Sequence, residues 1–84
     1  PVREGVTARL RFRVGVLHRL AGFMPRVLGE PVDGWVRAEI DLAHPAVAVR
    51  VVQVAPGEIV FETPAEAREA VLEWSARALA PHDA

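Results

Sequence analysis

The chain of 84 residues contains no cysteine. Without thiols, neither a disulfide bond nor a thiolate metal site can support a small hydrophobic core. Small secreted domains commonly depend on disulfide bonds, so the absence of cysteine favours a reducing compartment and predicts a cytoplasmic protein. The sequence also has no run of about 18 apolar residues, the length that a membrane-spanning helix requires.

Lysine, asparagine and tyrosine are absent as well, and every basic side chain is an arginine. Ten arginines nearly balance 11 acidic residues, so the formal net charge is only −1. A chain this close to neutrality has no general attraction for nucleic acids or anionic membranes. The exclusive use of arginine is typical of biased codon usage, although a planar guanidinium also binds carboxylates and phosphates through paired donors.

Apolar residues make up 51% of the chain, which argues against disorder and predicts one small folded domain spanning residues 1–84. No internal repeat or linker divides it. A domain of this size buries only about 60% of the surface of its unfolded chain, so its stability is small.

The most apolar stretch, Ala46–Val54, predicts a central strand. Read with the two-residue period of a strand, one face carries Val47, Val49 and Val51, and the other face is apolar except at Arg50. A strand that is apolar on both faces is typical of the interior of a sheet, with other elements packed on each side. Its many valines favour the same interpretation, because β-branched side chains suit the pleated surface of a strand.

Three further segments have the pattern of strands. Residues 6–16 alternate between an apolar set and a polar set that comprises Thr7, Arg9, Arg11 and Arg13. This alternation predicts an amphipathic strand with one apolar face and one arginine-rich face. Trp35–Leu42 alternates in the same way and predicts a hairpin with Ala46–Val54, and Glu58–Glu62 predicts a short strand.

Two segments have the spacing of amphipathic helices. Apolar residues recur at intervals of three and four between Leu17 and Leu28, but Gly22 and Pro25 interrupt the pattern and predict a broken helix. The final helix is predicted to begin at Thr63-Pro64, since a capping hydroxyl is followed by a proline suited to the first helical turn.

The predicted order is strand, broken helix, three strands and a helix, which is typical of an α+β two-layer sandwich. We expect a four-stranded, mainly antiparallel sheet with its helices on one face. The second apolar face of Ala46–Val54, together with Trp35, would then be exposed on the open side. Large exposed apolar patches usually bind partners, and symmetric dimers are the commonest form of self-association.

These features predict a non-enzymatic protein-interaction domain that associates with itself, in its simplest form as a homodimer. The predicted interface residues on the open sheet face are Trp35, Val52 and Val54. A different protein is the other partner that such a face would suit. No catalytic residue, cofactor or metal site is predicted, because the sequence has no nucleophile elbow, no phosphate-binding glycine loop and no converging set of metal ligands.

A row of arginines gives an alternative function. Arg9, Arg11 and Arg13 are spaced by two residues, or about 7 Å along a strand, which is close to the phosphate spacing in a nucleic-acid strand. With Arg37 and Arg50 extending the row, the chain would bind nucleic acid or a phosphate ligand. The same arginines could instead form an ion-pair ladder with acidic side chains on neighbouring strands, namely Glu39, Asp41, Glu58 and Glu62.

The interrupted helix gives a second alternative. The segment Gly22-Phe23-Met24-Pro25 cannot continue a regular helix. An interruption of this kind can open space between helix and sheet, and a small apolar ligand could then bind near Phe23 and Met24.

The stretch Glu58–Val71 resembles the third strand and second helix of an RNA-recognition motif. The resemblance implies a ferredoxin-like sheet that binds single-stranded RNA by stacking bases on aromatic side chains. The stacking positions of that family correspond here to Pro56 and Glu58, neither of which is aromatic. The resemblance therefore does not assign the chain to the family.

Overall fold

The computed structural model describes residues 5–79. These residues form four strands, one 3-10 helix and two α-helices. In chain order the elements are β1 (Val6–Arg13), the 3-10 helix (Val14–Phe23), β2 (Arg26–Val27), β3 (Trp35–Leu42), α1 (Val47–Gln53), β4 (Ile59–Thr63) and α2 (Ala65–Leu79). None of the helices within residues 5–79 is both long and apolar enough to cross a membrane.

The strands form one antiparallel sheet in the order β2-β3-β1-β4. The 3-10 helix connects β1 to β2 across β3, and α1 connects β3 to β4 across β1. This is the split β-α-β arrangement of the ferredoxin-like motif, to which α2 is added at the end. The predicted α+β class, with a four-stranded antiparallel sheet, is confirmed.

The core lies between one face of the sheet and all three helices. The strands β1, β3 and β4 contribute alternate residues to it, as the two-residue period requires. The helices contribute Val16 and Leu20 from the 3-10 helix and a further set from α1 and α2. The buried residues of the core are Ala8, Leu10, Phe12, Val16, Leu20, Val36, Ala38, Ile40, Leu42, Ala48, Val51, Val52, Ala55, Ile59, Phe61 and Ala67.

The predicted central strand at Ala46–Val54 is wrong, because this segment forms α1. Ala48, Val51 and Val52 are buried, whereas Arg50 is exposed, and this spacing is that of a helix. Burial of one helical face against the sheet outweighs the weak preference of valine for strands. The predicted hairpin with Trp35–Leu42 is therefore absent as well.

The residues between Leu42 and Ala46, where the predicted hairpin would turn, instead lead into α1. The Ala46 N–H donates to Nδ1 of His44 at 3.1 Å, and the Ala48 N–H donates to the Pro45 carbonyl at 3.1 Å. His44 thus satisfies a backbone donor that the first helical turn leaves unpaired. Its role in the described structure is to start a helix.

The remaining strand of the sheet, β2 (Arg26–Val27), lies inside the segment that was predicted to form the second half of a broken helix. The 3-10 helix ends at Phe23, and Met24 adopts a left-handed conformation with φ of 55°. Pro25 has no N–H to continue a helix. The chain then pairs with the outer edge of β3, so that Arg26 lies opposite Glu39.

The last two elements occupy Glu58–Val71, the stretch that resembles part of an RNA-recognition motif. In the structure this stretch contains the fourth strand, not the third, and the first half of the added helix α2. The sheet is of the kind that the resemblance implies, but the correspondence of segments is wrong.

A tight turn before β3 has a specific backbone requirement. Val32 and Trp35 exchange two backbone hydrogen bonds of 2.9 Å, and the residues between them, Asp33 and Gly34, have φ of 54° and 82°. Two positive φ values in succession are typical of a type I′ turn, in which glycine and aspartate are favoured.

Gly34→Ala is expected to lower the free energy of unfolding by about 1 kcal/mol, because a Cβ atom is strained at this φ. Thermal unfolding should show a decrease in Tm of about 4–8 °C. The control is Gly22→Ala in the 3-10 helix, where no atom lies within 4 Å of the added methyl group. A Gly22→Ala variant that loses as much stability as Gly34→Ala would contradict the assignment of the turn.

Candidate functional site

The sheet face opposite the helices carries five arginine side chains, which we call the arginine face: Arg9, Arg11, Arg13, Arg26 and Arg37. Three of them come from β1, whose alternate residues Ala8, Leu10 and Phe12 point into the core. The register of the sheet places the others beside them, since Arg37 lies opposite Arg11 and Arg26 lies opposite Glu39. The predicted exposure of the β1 arginines on one face is confirmed.

One half of the arginine face is an ion-pair network. Arg9 contacts Glu39 at 3.0 Å, and Arg26 donates to both carboxylate oxygens of Asp41 at 3.1 Å. The hydrogen bonds and charge of Asp41 raise the pKa of Arg26. Thr7 Oγ1 also donates to Asp41 at 3.0 Å. The ion-pair ladder that the sequence offered as an interpretation is present here.

The other half contains a pair of like charges. Arg11 and Arg37 lie directly opposite each other on β1 and β3, an arrangement that is unfavourable without an anion between them. Glu62 on β4 supplies that anion, with one oxygen 3.1 Å from Arg11 and the other 3.2 Å from Arg37. One carboxylate therefore serves two guanidinium groups.

Trp35 lies beside this pair, on the same face as the arginines. The guanidinium carbon of Arg13 is 4.4 Å from the centre of the Trp35 ring, and that of Arg11 is 5.6 Å away. These distances are typical of cation–π contacts. Arg13 forms none of the ion pairs found within residues 5–79, and its nearest polar contact is the Asp33 carbonyl at 3.5 Å.

A groove of about 560 Å³ opens next to Trp35. Its lining combines two arginines, Trp35 and Val32 with the carboxylates of Glu30, Asp33 and Glu62. We call it the Trp35 groove. It offers donors, acceptors and an aromatic surface within one concave site.

A second groove, of about 330 Å³, lies between β4 and α2, and we call it the β4 groove. Its lining is mainly apolar and includes Val52, Phe61, Val71 and Leu72. No local pattern in the sequence indicates this groove, because it depends on how α2 packs beside the last strand.

Two of the three predicted interface residues are not on the open sheet face. Val52 is only 4% exposed within α1, and Val54 follows that helix, half-buried and packed against the core. The prediction for their placement is wrong because it depended on a strand at Ala46–Val54. Trp35 alone lies on the open face, and that face is charged instead of apolar.

The other predicted site residues also lie partly on the open sheet face and partly elsewhere. Arg37 joins the β1 arginines, but Arg50 lies on the exposed side of α1, away from the sheet face. Arg26 was missed, since a strand of two residues leaves no periodic signal. Glu58 forms no ion pair among the described residues, whereas the other three acids of the predicted ladder do.

Phe23 and Met24, near which a small apolar ligand was predicted to bind, have different surroundings from each other. Phe23 packs half-buried against the core, and Met24 is 77% exposed. Within residues 5–79, no group of three or more His, Cys, Asp or Glu side chains is placed to hold a metal ion.

No family model matches this chain, and comparisons with curated proteins and with solved structures gave no match. Functional proposals for this protein therefore depend on the geometry of its two grooves, its charged face and its strand edges.

Proposed function

We propose that this protein is a non-catalytic interaction domain that pairs with a second copy of itself along the outer edge of β4. The observation that supports this most directly is a strand edge with which no other strand of residues 5–79 pairs, beside an apolar groove. The proposal keeps the self-association expected from the sequence but moves the interface from the open sheet face to this edge. The absence of cysteine supports a cytoplasmic location for such a dimer.

The backbone of β4 supplies the hydrogen-bonding groups. The Arg13 N–H donates to the Glu58 carbonyl at 3.1 Å, which fixes the residues that bond to β1. In an antiparallel pair, every second residue directs its N–H and C=O groups toward the neighbouring strand. Since Glu58 bonds to β1, Ile59 and Phe61 direct their N–H and C=O groups to the outer edge of β4. β4 ends the sheet order, and no strand within residues 5–79 occupies that edge.

The β4 groove supplies apolar contact area beside the edge. Two large hydrophobic side chains are exposed here, with 62% of Leu72 accessible on α2 and 36% of Val60 accessible on β4. Both residues are among those that line the groove. An edge strand with adjacent apolar surface is a template for pairing with another strand.

A second copy is the partner that these features suit best. The opposite edge, β2, has only 2 residues against 5 in β4, so pairing between two β4 strands gives the longest run of hydrogen bonds. In an antiparallel pair centred on Val60, Ile59 of each copy bonds to Phe61 of the other, and twofold symmetry closes the dimer. This register places Glu58 of each copy opposite Glu62 of the other, and the ion pairs of Glu62 with Arg11 and Arg37 offset the repulsion between these two acids.

Val60→Lys is expected to convert the dimer to a monomer, because the twofold axis would bring two like charges directly opposite each other. Light scattering after size-exclusion chromatography, over a range of concentrations, should show the mass falling by half. The matched control is Val27→Lys, which places the same charge on an exposed valine of the opposite edge strand. The control should leave the mass unchanged.

A mixing experiment tests the register of the pair. Val60→Lys and Val60→Glu should each be monomeric alone, and an equimolar mixture should form the dimer again, because opposite charges then meet at the axis. Wild-type protein that stays monomeric at all concentrations would contradict the proposal. So would a Val27→Lys variant that dissociates while Val60→Lys remains dimeric.

A further inference from the structure

The Trp35 groove has the composition of a ligand site that is separate from the proposed dimer edge. We propose that it binds a nucleoside phosphate, with the base against Trp35 and the phosphate held by Arg11 and Arg37 of the lining and by Arg13, which lies over the Trp35 ring. The volume of about 560 Å³ is within the range of small-molecule pockets, roughly 300–1,000 Å³. Binding in this groove does not require the proposed dimer.

The arginines at this end of the sheet have more positive charge than their partners neutralise. Arg11 and Arg37 share the single carboxylate of Glu62, and Arg13 has no carboxylate partner among the described residues. Guanidinium groups bind phosphate through paired, charge-assisted hydrogen bonds. Exposed ion pairs contribute little to stability, so a phosphate can take the place of Glu62 at small cost.

The remaining lining suits the rest of a nucleotide. Trp35 is half-buried, and both its ring and the guanidinium planes beside it offer stacking surfaces for a base. The carboxylates of Glu30 and Asp33 form no ion pair among the described residues, so they are available to accept hydrogen bonds from sugar hydroxyls or base amino groups.

The acidic residues also restrict the class of ligand. A plain polyanion would meet repulsion from Glu30 and Asp33 as it filled the groove. A nucleoside phosphate places its charge only at the arginine end and its donors at the acidic end. This match selects it over inorganic phosphate and over an apolar ligand.

Calorimetric titration of the wild-type protein with AMP and UMP at low salt tests the proposal. Both nucleotides should bind, and adenosine and inorganic phosphate should bind at least about tenfold more weakly, since each lacks one half of the contacts. In a Trp74→Phe background, AMP should also change the fluorescence of Trp35. Single-stranded oligonucleotides form a second arm, since tighter, strongly salt-dependent binding would identify a nucleic-acid strand as the source of the nucleotide.

Arg13→Gln should weaken AMP binding by about tenfold or more, because it removes a charged donor without breaking an ion pair. Arg50→Gln is the matched control, since Arg50 is exposed on α1, and it should change the affinity by less than about twofold. The proposal is overturned by an absence of saturable AMP binding, by inorganic phosphate that binds as tightly as AMP, or by equal losses in the two variants.

Discussion

Replacing Phe12 with alanine is expected to lower the free energy of unfolding by about 3–5 kcal/mol. Phe12 is fully buried, on the strand that pairs with both β3 and β4. Truncation removes its apolar contacts and leaves a cavity that the packed sheet and helices cannot close. Since domains are stabilised by roughly 0.05–0.15 kcal/mol per residue, this one substitution removes a large part of the total.

Urea denaturation followed by circular dichroism measures this loss. The control on the same strand is Arg9→Ala, whose side chain lies on the arginine face and makes an exposed ion pair with Glu39. Exposed ion pairs of this kind contribute about 0–1 kcal/mol. Equal losses from the two variants would contradict the assignment of the two faces of β1.

Val52→Glu is expected to destabilise the fold by about 3–5 kcal/mol, because it places a carboxylate where the native side chain is only 4% exposed. This loss of stability would distinguish α1 from the strand that the sequence predicts at Ala46–Val54. On an open sheet face, a glutamate at this position would be tolerated and would act only on association. In α1, the same substitution lowers the free energy of unfolding.

The matched control for Val52→Glu is Gln53→Glu, which introduces the same side chain at the next position of α1. Gln53 is exposed, so its substitution should change the free energy of unfolding by less than about 0.5 kcal/mol. Chemical denaturation of both variants gives the comparison. A well-folded Val52→Glu protein with wild-type stability would show that α1 does not pack against the sheet as described.

Much of the sheet was predictable from local pattern. β1 and β3 alternate between apolar and polar residues, β4 buries Ile59 and Phe61 on one side, and one face of each strand is covered by helices. Under these conditions the two-residue period identifies both the strand and its buried face. The final helix was predictable from its spacing, but Thr63, the predicted cap, belongs to β4 and the helix begins at Ala65.

α1 could not be separated from a strand by composition. A short run of alanine and valine is apolar at both periods, and the preference of valine for strands tipped the prediction the wrong way. The signal for a helix was the three-residue interval between Arg50 and Gln53, the two polar positions of α1. β2 could not be predicted from the sequence for another reason. Its two residues form a strand only because they pair with β3.

The candidate sites were likewise predictable only where they depend on local pattern. The row of Arg9, Arg11 and Arg13 was predictable, since it depends only on alternation within one strand. The contacts of that row depend on register, which places Trp35 beside Arg13 and brings Glu62 between Arg11 and Arg37. The β4 groove depends on the packing of α2 against the last strand, and no local pattern encodes that packing.

The order of the strands in the sheet has a consequence for how the chain is made. β1 is synthesised first but lies inside the sheet, and its partners are distant: the Thr7–Asp41 hydrogen bond joins residues 34 apart, and the Arg11–Glu62 bond joins residues 51 apart. On the ribosome, β1 therefore emerges well before the strands that pair with its two edges. A chain whose synthesis stops before β4 leaves one edge of β1 unpaired beside its apolar face, and such a fragment is prone to aggregate.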